Sequence, residues 1–503
     1  MSVTELIKTE AELKEIAAIM QDKLRFDPDG QTVSRCTRLV IDSVKFVDGT
    51  KTSECGKSIL QNNEGIGAKT YSGYRSPYDL TKGNKVELLV ARDSDPVRFN
   101  FHPKGIPLPT DERVYVEDIP SGIDTFDQEL REFTKYHPNT ELKRRFLVEQ
   151  KIVVNSEGGI AIQSIPFLGV YYQQGFSPLP TSRDINVVCA SEEDIKRFPK
   201  LIKYIADPTP DGRITSSISF TEAFDQLYKL APLRIEKLKD HINIPGLVDV
   251  VILTGVPAHE VFGHHFEEPI DHLNQGQSSP FFLGQKLKTP NIILKDDPNV
   301  LIEGFRPTGF TYFDAYGRTR KTVNHIVNDE VFGFLGGEYA DPKKLKEYNG
   351  SELRQFSGNT CQGMDGQFPQ TRMSCTVLDG VHENLDLEGK LVIVSHSGFT
   401  DRQTKAYQIS AEECYIIKNG EPRRVVPVKV GGNIHQALRD ITLFDRWNYN
   451  SGTCGKPEPI HKRQLAEVPV SQFSRVQLWQ GQYVETLPIS EKDIRALTQL
   501  NYI

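Results

Sequence analysis

At 503 residues and 56.8 kDa, the chain is long enough for two or three domains, each with a sizeable core. Its 67 acidic residues outnumber 60 basic ones; the resulting net charge of −7 and pI near 6.0 leave no basic footprint for nucleic acid. The opening segment from Met1 to Lys8 lacks an apolar core of signal-peptide length, and no run approaches the ~20 apolar residues of a membrane span, which predicts a soluble, cytoplasmic protein with no membrane partner.

Leu13, Ile16, Ala17, Met20 and Leu24 recur at helical spacing and predict a first amphipathic helix, with strand-like segments following to about Ala91. Pro96, Pro103, Pro107, Pro109 and Pro120 suit a linker or extended crossing, marking a boundary between an N-terminal α+β domain (1–110) and a middle α+β domain (111–245). The middle domain opens on a helix near Asp124 to Tyr136. Phe146 to Val154 and Ile160 to Tyr172 then read as paired strands about a turn at Ser156 to Gly159. A helix through Phe224, Leu227 and Leu238, kinked near Pro232, leads to the second boundary at Ile244 and Pro245. From Val248 onward short alternating strands with Gly and Asn-Gly turns dominate, apart from a short helix near His435 to Asp440. The fold class is therefore α+β: a mixed N-terminal region followed by a β-rich, barrel-like C-terminal domain (246–503) carrying one further helix through His259 and His264.

That helix begins where the buried strand Leu247 to Leu253 turns at Thr254 and Gly255, with Pro257 as a first-turn residue. It carries His259, Glu260 and His264, two imidazoles and a carboxylate that one helix could offer to a single metal ion. Histidines four apart are separated by about 40° around an ideal helix, whereas the gap of five here makes about 140°. An undistorted α-helix would aim them apart, so the spacing predicts a π-bulge, with Gly263 removing the side chain that would obstruct the second histidine. Such a site needs three protein ligands, an open position and a base. Glu260 is the natural base, able to take a proton from an attacking water and return it to a leaving amine; the other reading is a solvated helix glutamate. The third ligand comes from elsewhere, and spacing does not choose among the remaining histidines, the seven cysteines and the acids. His265 points about 100° from His264 and reads as supporting or packing. Glu267 and Glu268 follow, and Glu268, four residues after His264, could orient its imidazole, join its coordination, or simply be part of a charged helix end. His272 reads as a surface residue.

The His259-Glu260-x-x-x-His264 motif with Gly263 and Glu267, together with Ser451-Gly-Thr-Cys-Gly-Lys456, resembles the TldD/PmbA family of bacterial and archaeal metallopeptidases, once labelled modulators of DNA gyrase. Intervening segments are also similar to the family, among them Asp314 to Gly317, Asn328 to Leu335, Gln370 to Met373, Ser397 to Asp401, Ser410 to Gly420 and Gly432 to Asp440; the resemblance runs from about Val248 to Val470. It implies that Cys454 is the third ligand beside His259 and His264. It further implies a zinc-dependent peptidase hydrolysing short or unfolded peptides, with Glu260 as general base of a metal-activated water. Zinc suits a thiolate with two imidazoles, and ferrous iron would tolerate the same donors. Family members form dimers enclosing a chamber, so the resemblance implies a homodimer or a heterodimer with a metal-less paralogue. A noncatalytic partner or regulatory subunit of the same fold is the alternative, but it would have lost His259, Glu260 or Cys454. After Cys454-Gly-Lys the chain departs from the family at Pro457 to His461, and His265 replaces a small residue, so substrate preference does not carry over.

Seven cysteines, odd in number and scattered, make no disulfide framework. Cys55 lies in a second Cys-Gly-Lys, which shows that the tripeptide alone is weak. Cys36, Cys189, Cys361, Cys375 and Cys414 read as small core residues.

Overall fold

A computed structural model describes residues 7–23, 32–66, 115–155, 158–175, 181–241, 247–274, 279–315, 317–336, 360–361, 370–394, 397–401, 405–411, 413–455 and 461–478. Most of the proline-rich stretch, the side chain of Cys361 and residue Leu24 lie outside them. Helix α1 (Glu10–Lys23) buries Leu13, Ala17 and Met20, as its periodicity predicts. Strands β1 (Thr32–Val47), β2 (Thr50–Ile66), β3 (Thr140–Asn155), β4 (Ile160–Gln174) and β5 (Thr181–Val188) form one antiparallel sheet ordered β2-β1-β3-β4-β5. Because β1 pairs with both β2 and β3, this sheet takes strands from both sides of residue 110.

Helix α2 (Ile123–Tyr136) lays Ile123, Phe126, Leu130 and Phe133 on one face, the helical stripe that a sheet can cover. Those residues join Phe46, Phe146, Phe198, Phe220 and Phe224 in the N-terminal core. Each fully buried phenylalanine contributes about 1.5–3 kcal/mol through removal from water. After a short helix α3 (Glu192–Arg197), α4 (Phe220–Leu230) starts on a Ser219 cap that accepts from the Glu222 amide at 3.2 Å. It stops at Leu230 instead of kinking near Pro232, and Leu238 falls in a separate 3₁₀ turn. Ala231 keeps helical backbone, at φ −64° and ψ −40°, and the stop follows from Pro232, which has no amide proton to continue the helical hydrogen bonding.

The C-terminal sheet grows around β6 (Leu247–Ile252). It is followed in the chain by α5 (His264–Glu267), α6 (Pro269–Asn274), β7 (Ile293–Asp296), β8 (Val323–Val327), β9 (Glu330–Val331), β10 (Thr360–Cys361), β11 (Gln370–Thr371), β12 (Cys375–Asp379) and β13 (His382–Glu383). Then come β14 (Leu391–Val394), β15 (Ser397–Asp401), β16 (Ala406–Ser410), β17 (Glu413–Lys418), β18 (Glu421–Val425), β19 (Lys429–Asn433), α7 (Ile434–Asp440), β20 (Ile441–Gly455) and β21 (His461–Leu478). Fourteen of these strands share a mixed sheet whose main path is β18-β17-β14-β6-β21-β12-β7-β8-β9. The domain is strand-rich, as its sequence predicts, and among the described residues this path stays open at β18 and β9. Cys36, Cys189, Cys375 and Cys414 are all buried in the cores.

One buried ion pair ties the two sheets together. Arg183 on β5 donates to both carboxylate oxygens of Glu413 on β17, at 2.8 and 3.1 Å, and Tyr415 also donates to that carboxylate. Burial alone would raise the Glu413 carboxyl, but the Arg183 charge and its hydrogen bonds hold it below the ordinary carboxylate value. Stability from this group is therefore present above its unfolded pKa of about 4.3 and is lost as pH falls through the depressed folded value. Glu413→Ala leaves a buried guanidinium uncompensated and is expected to destabilise the fold by about 3–5 kcal/mol, measurable as a shifted urea midpoint. An unshifted midpoint would show that Arg183 finds another partner.

Candidate metal centre

The site is built on β6, whose Val250, Val251 and Ile252 are wholly buried. A run apolar on both faces is what a central strand requires, and β6 pairs in parallel with β14 and antiparallel with β21. Leu253 extends the β14 contact by donating its backbone N–H to the Ile393 carbonyl at 3.0 Å. The chain then turns through Thr254 and Gly255 into a π-helix, Pro257–Gly263, that continues directly as α5.

The predicted distortion is thus present and spans seven residues. The His264 amide bonds to the carbonyl of His259, five residues back, so the π-turn takes up the extra residue between the histidines. Their rings come to 5.0 Å between centroids at an interplanar angle of 71°. Glu260 lies between them, with one oxygen 3.7 Å from His259 Nε2 and the other 3.5 Å from His264 Nε2. His259, Glu260 and His264 keep 12, 19 and 11% of their side-chain surfaces exposed, so the group is recessed yet open to a small molecule. Burial pushes the Glu260 carboxyl up, but the hydrogen bond with His264 and the charges of both histidines outweigh it and leave it below the ordinary range. Two imidazoles and a carboxylate whose ligand atoms lie within 4.8 Å of one another suit a divalent transition metal.

Neighbouring strands hold this helix closely. A Cβ on Gly263 would fall 2.5 Å from Met373 Sδ and 2.8 Å from the Ala258 carbonyl oxygen, so the tight π-turn admits no side chain there without a shift. A Cβ on Gly398 of β15 would meet Glu260 Cβ at 2.9 Å, and Thr400 of the same strand donates to the Glu260 carbonyl. Among the described residues β15 pairs only with β16, which makes it an outer strand running beside the carboxylate.

Glu267, three residues after His264, is completely buried and places Oε2 2.9 Å from His264 Nδ1. Glu268 is also buried, but its nearer oxygen lies 3.8 Å from the same nitrogen, so the orienting contact belongs to Glu267. Positions three and four residues on are both neighbours on a helix, and the distorted turn decides between them. His265 packs edge-on against Phe281, outside the His259–Glu260–His264 group. His272 is buried, not on the surface, with Nε2 4.0 Å from Glu268 Oε2; the two are helical neighbours four residues apart, and the His272 amide donates to the Glu268 carbonyl at 3.0 Å. The backbone of Cys454 lies in β20 opposite Lys462, while its side chain falls outside the described residues. Sequence reasoning assigned no role to Gly398, Arg372 or Met373, although two of the segments that carry the family resemblance contain them.

The strand-rich α+β domain presents from a distorted helix a recessed His-Glu-His group that could hold a metal ion. Residues 247–462 match the family model described as the PmbA/TldA metallopeptidase C-terminal domain, so the similarity to that family rests on this stretch of the chain. A metalloprotease from Archaeoglobus fulgidus is 32% identical over 231 residues, covering 44% of this chain; the match spans about half the length of that relative. Among solved structures, a putative modulator of a DNA gyrase from Thermotoga maritima superposes with a TM-score of 0.56 at 16% identity, over 94% of this chain and all of that one. TldE from Thermococcus kodakarensis gives 0.52 at 12% identity, over 93% of this chain and all of that one. These likenesses establish the fold. No helix among the described residues is long and apolar enough to cross a membrane.

Proposed function

We propose that the protein is a metal-dependent peptidase acting on short or unfolded peptides. The observation that carries this reading is the π-helix that turns His259 and His264 toward one point with Glu260 between them. In this reading His259, His264 and Cys454 hold the metal, Cys454 entering on its match to the family's Gly-x-Cys-Gly-Lys stretch. The strand ladder supports that assignment, because Cys454 pairs with one end of β21 while residues Ser471 to Gln477 of β21 pair with β6, which leads into the helix. Zinc is the metal this donor set suits best, with ferrous iron as the other candidate. When bound, it supplies Lewis acidity to the scissile carbonyl and to the attacking water.

Glu260, ionised at neutral pH, takes the proton of the attacking water at a carboxylate oxygen and delivers it to the departing amine. An extended peptide can lie along the outer strand β15, which runs beside Glu260 because Gly398 lets the strand approach that side chain closely. Such strand addition excludes bonds locked inside folded proteins. The family resemblance implies assembly as a dimer, either of two copies or with a metal-less paralogue. The retained His259, Glu260 and Cys454 favour a catalytic subunit over a noncatalytic partner of the same fold.

Mass spectrometry after incubation of the zinc-loaded protein with short peptides, an unfolded casein-like chain and a stable globular protein tests the reading. Cleavage of the first two, sparing of the third and loss of cleavage on chelation are expected. Cleavage that survives chelation would remove the metal from the mechanism, and equal cleavage of all three would remove the restricted access.

A further inference from the structure

We infer that Glu267 is a positioning residue that sets the tautomer of His264, so that the imidazole presents Nε2 to the metal; this rests on the metal reading proposed above. The two oxygens of this buried carboxylate have separate tasks. Oε1 accepts from the Met373 amide at 2.8 Å and lies 3.4 Å from Nε of the equally buried Arg372. Oε2 faces His264 Nδ1 at 2.9 Å.

An ionised carboxylate only accepts, so the imidazole nitrogen facing it must donate. The proton of neutral His264 then sits on Nδ1, and the lone pair on Nε2, the nitrogen 3.5 Å from Glu260, is left for a metal. The same short segment that fills the space beside Gly263 with Met373 therefore also holds the group that orients His264. Residues more than 100 positions downstream control the second histidine from behind.

Glu267→Gln keeps the shape of the side chain while replacing the oxygen that faces His264 by a donor. Its amide has one acceptor oxygen and one donating nitrogen. Met373 N–H and Arg372 Nε both require the oxygen on their side, so the amide nitrogen faces His264 Nδ1, which must then accept. The His264 proton moves to Nε2, and the nitrogen needed by the metal is blocked.

Two measurements on the full chain test this. Zinc affinity, read by competition with a chromophoric chelator without any peptide, is expected to fall at least the 10–100-fold typical of losing an outer-shell partner. In metal-free protein labelled with ¹⁵N-histidine, with His264 assigned by its loss in His264→Gln, the parent is expected to carry the proton on Nδ1 and Glu267→Gln on Nε2. A Glu267→Gln zinc affinity equal to the parent's, or a parental His264 protonated on Nε2, overturns the proposal. The parental tautomer decides the matter even if the variant does not fold. His259→Ala distinguishes the two levels of inference: if it leaves zinc affinity intact the metal reading itself falls, whereas if it weakens zinc and Glu267→Gln does not, only the positioning role falls.

Discussion

Glu260→Gln is expected to keep its metal and lose turnover by on the order of 10²–10⁴-fold, the usual worth of a positioned general acid–base group. The amide preserves the volume beside Gly398 and between the two imidazoles, so the helix has no reason to rearrange. What it removes is the ability to take up a proton. Elemental analysis alongside peptide turnover separates the two effects. Near-parental turnover with full metal content would assign proton transfer to another group.

The second large effect is expected at Cys454. Serine stays protonated near neutral pH, whereas a thiolate brings both charge and a soft donor, so Cys454→Ser should weaken zinc by more than the 10–100-fold that accompanies loss of an outer-shell partner. Cys55→Ser is the matched control, since Cys55 lies in the other Cys-Gly-Lys on β2, the end strand of the N-terminal sheet, where its backbone pairs with Asp42 of β1. Zinc content in that variant should match the parent's. The opposite pattern, with Cys55→Ser losing metal and Cys454→Ser keeping it, would move the N-terminal sheet into the site.

The metal helix was legible because its chemistry is local. A gap of five between His259 and His264 conflicts with α-helical geometry, and the conflict itself predicts the π-turn that is present. The amphipathic helix at Ile123–Tyr136 and the capped turn at Ile434–Asp440 were readable for the same reason. Contacts that span the chain were not. Nothing near Glu267 says that it, and not Glu268, meets His264, because the choice depends on donors from Arg372 and Met373. Gly398 likewise reads as an ordinary strand glycine until β15 is set against Glu260. The burial of His272 reflects tertiary packing, which local periodicity does not encode.

The π-helix also changes the rotational phase of everything downstream. One additional residue advances a helix by about 100°, so the faces before and after Gly263 do not belong to one continuous stripe. Phe266 stacks on Phe281 with centroids 5.1 Å apart, and Glu267 meets its buried partners, only because that offset is present. Deleting one residue between Glu260 and His264 would return the histidines to the four-residue spacing of an ordinary α-helix. The same deletion would leave the following aromatic and carboxylate a third of a turn out of place, so in this fold the spacing of the motif and the packing of its flank can change only together.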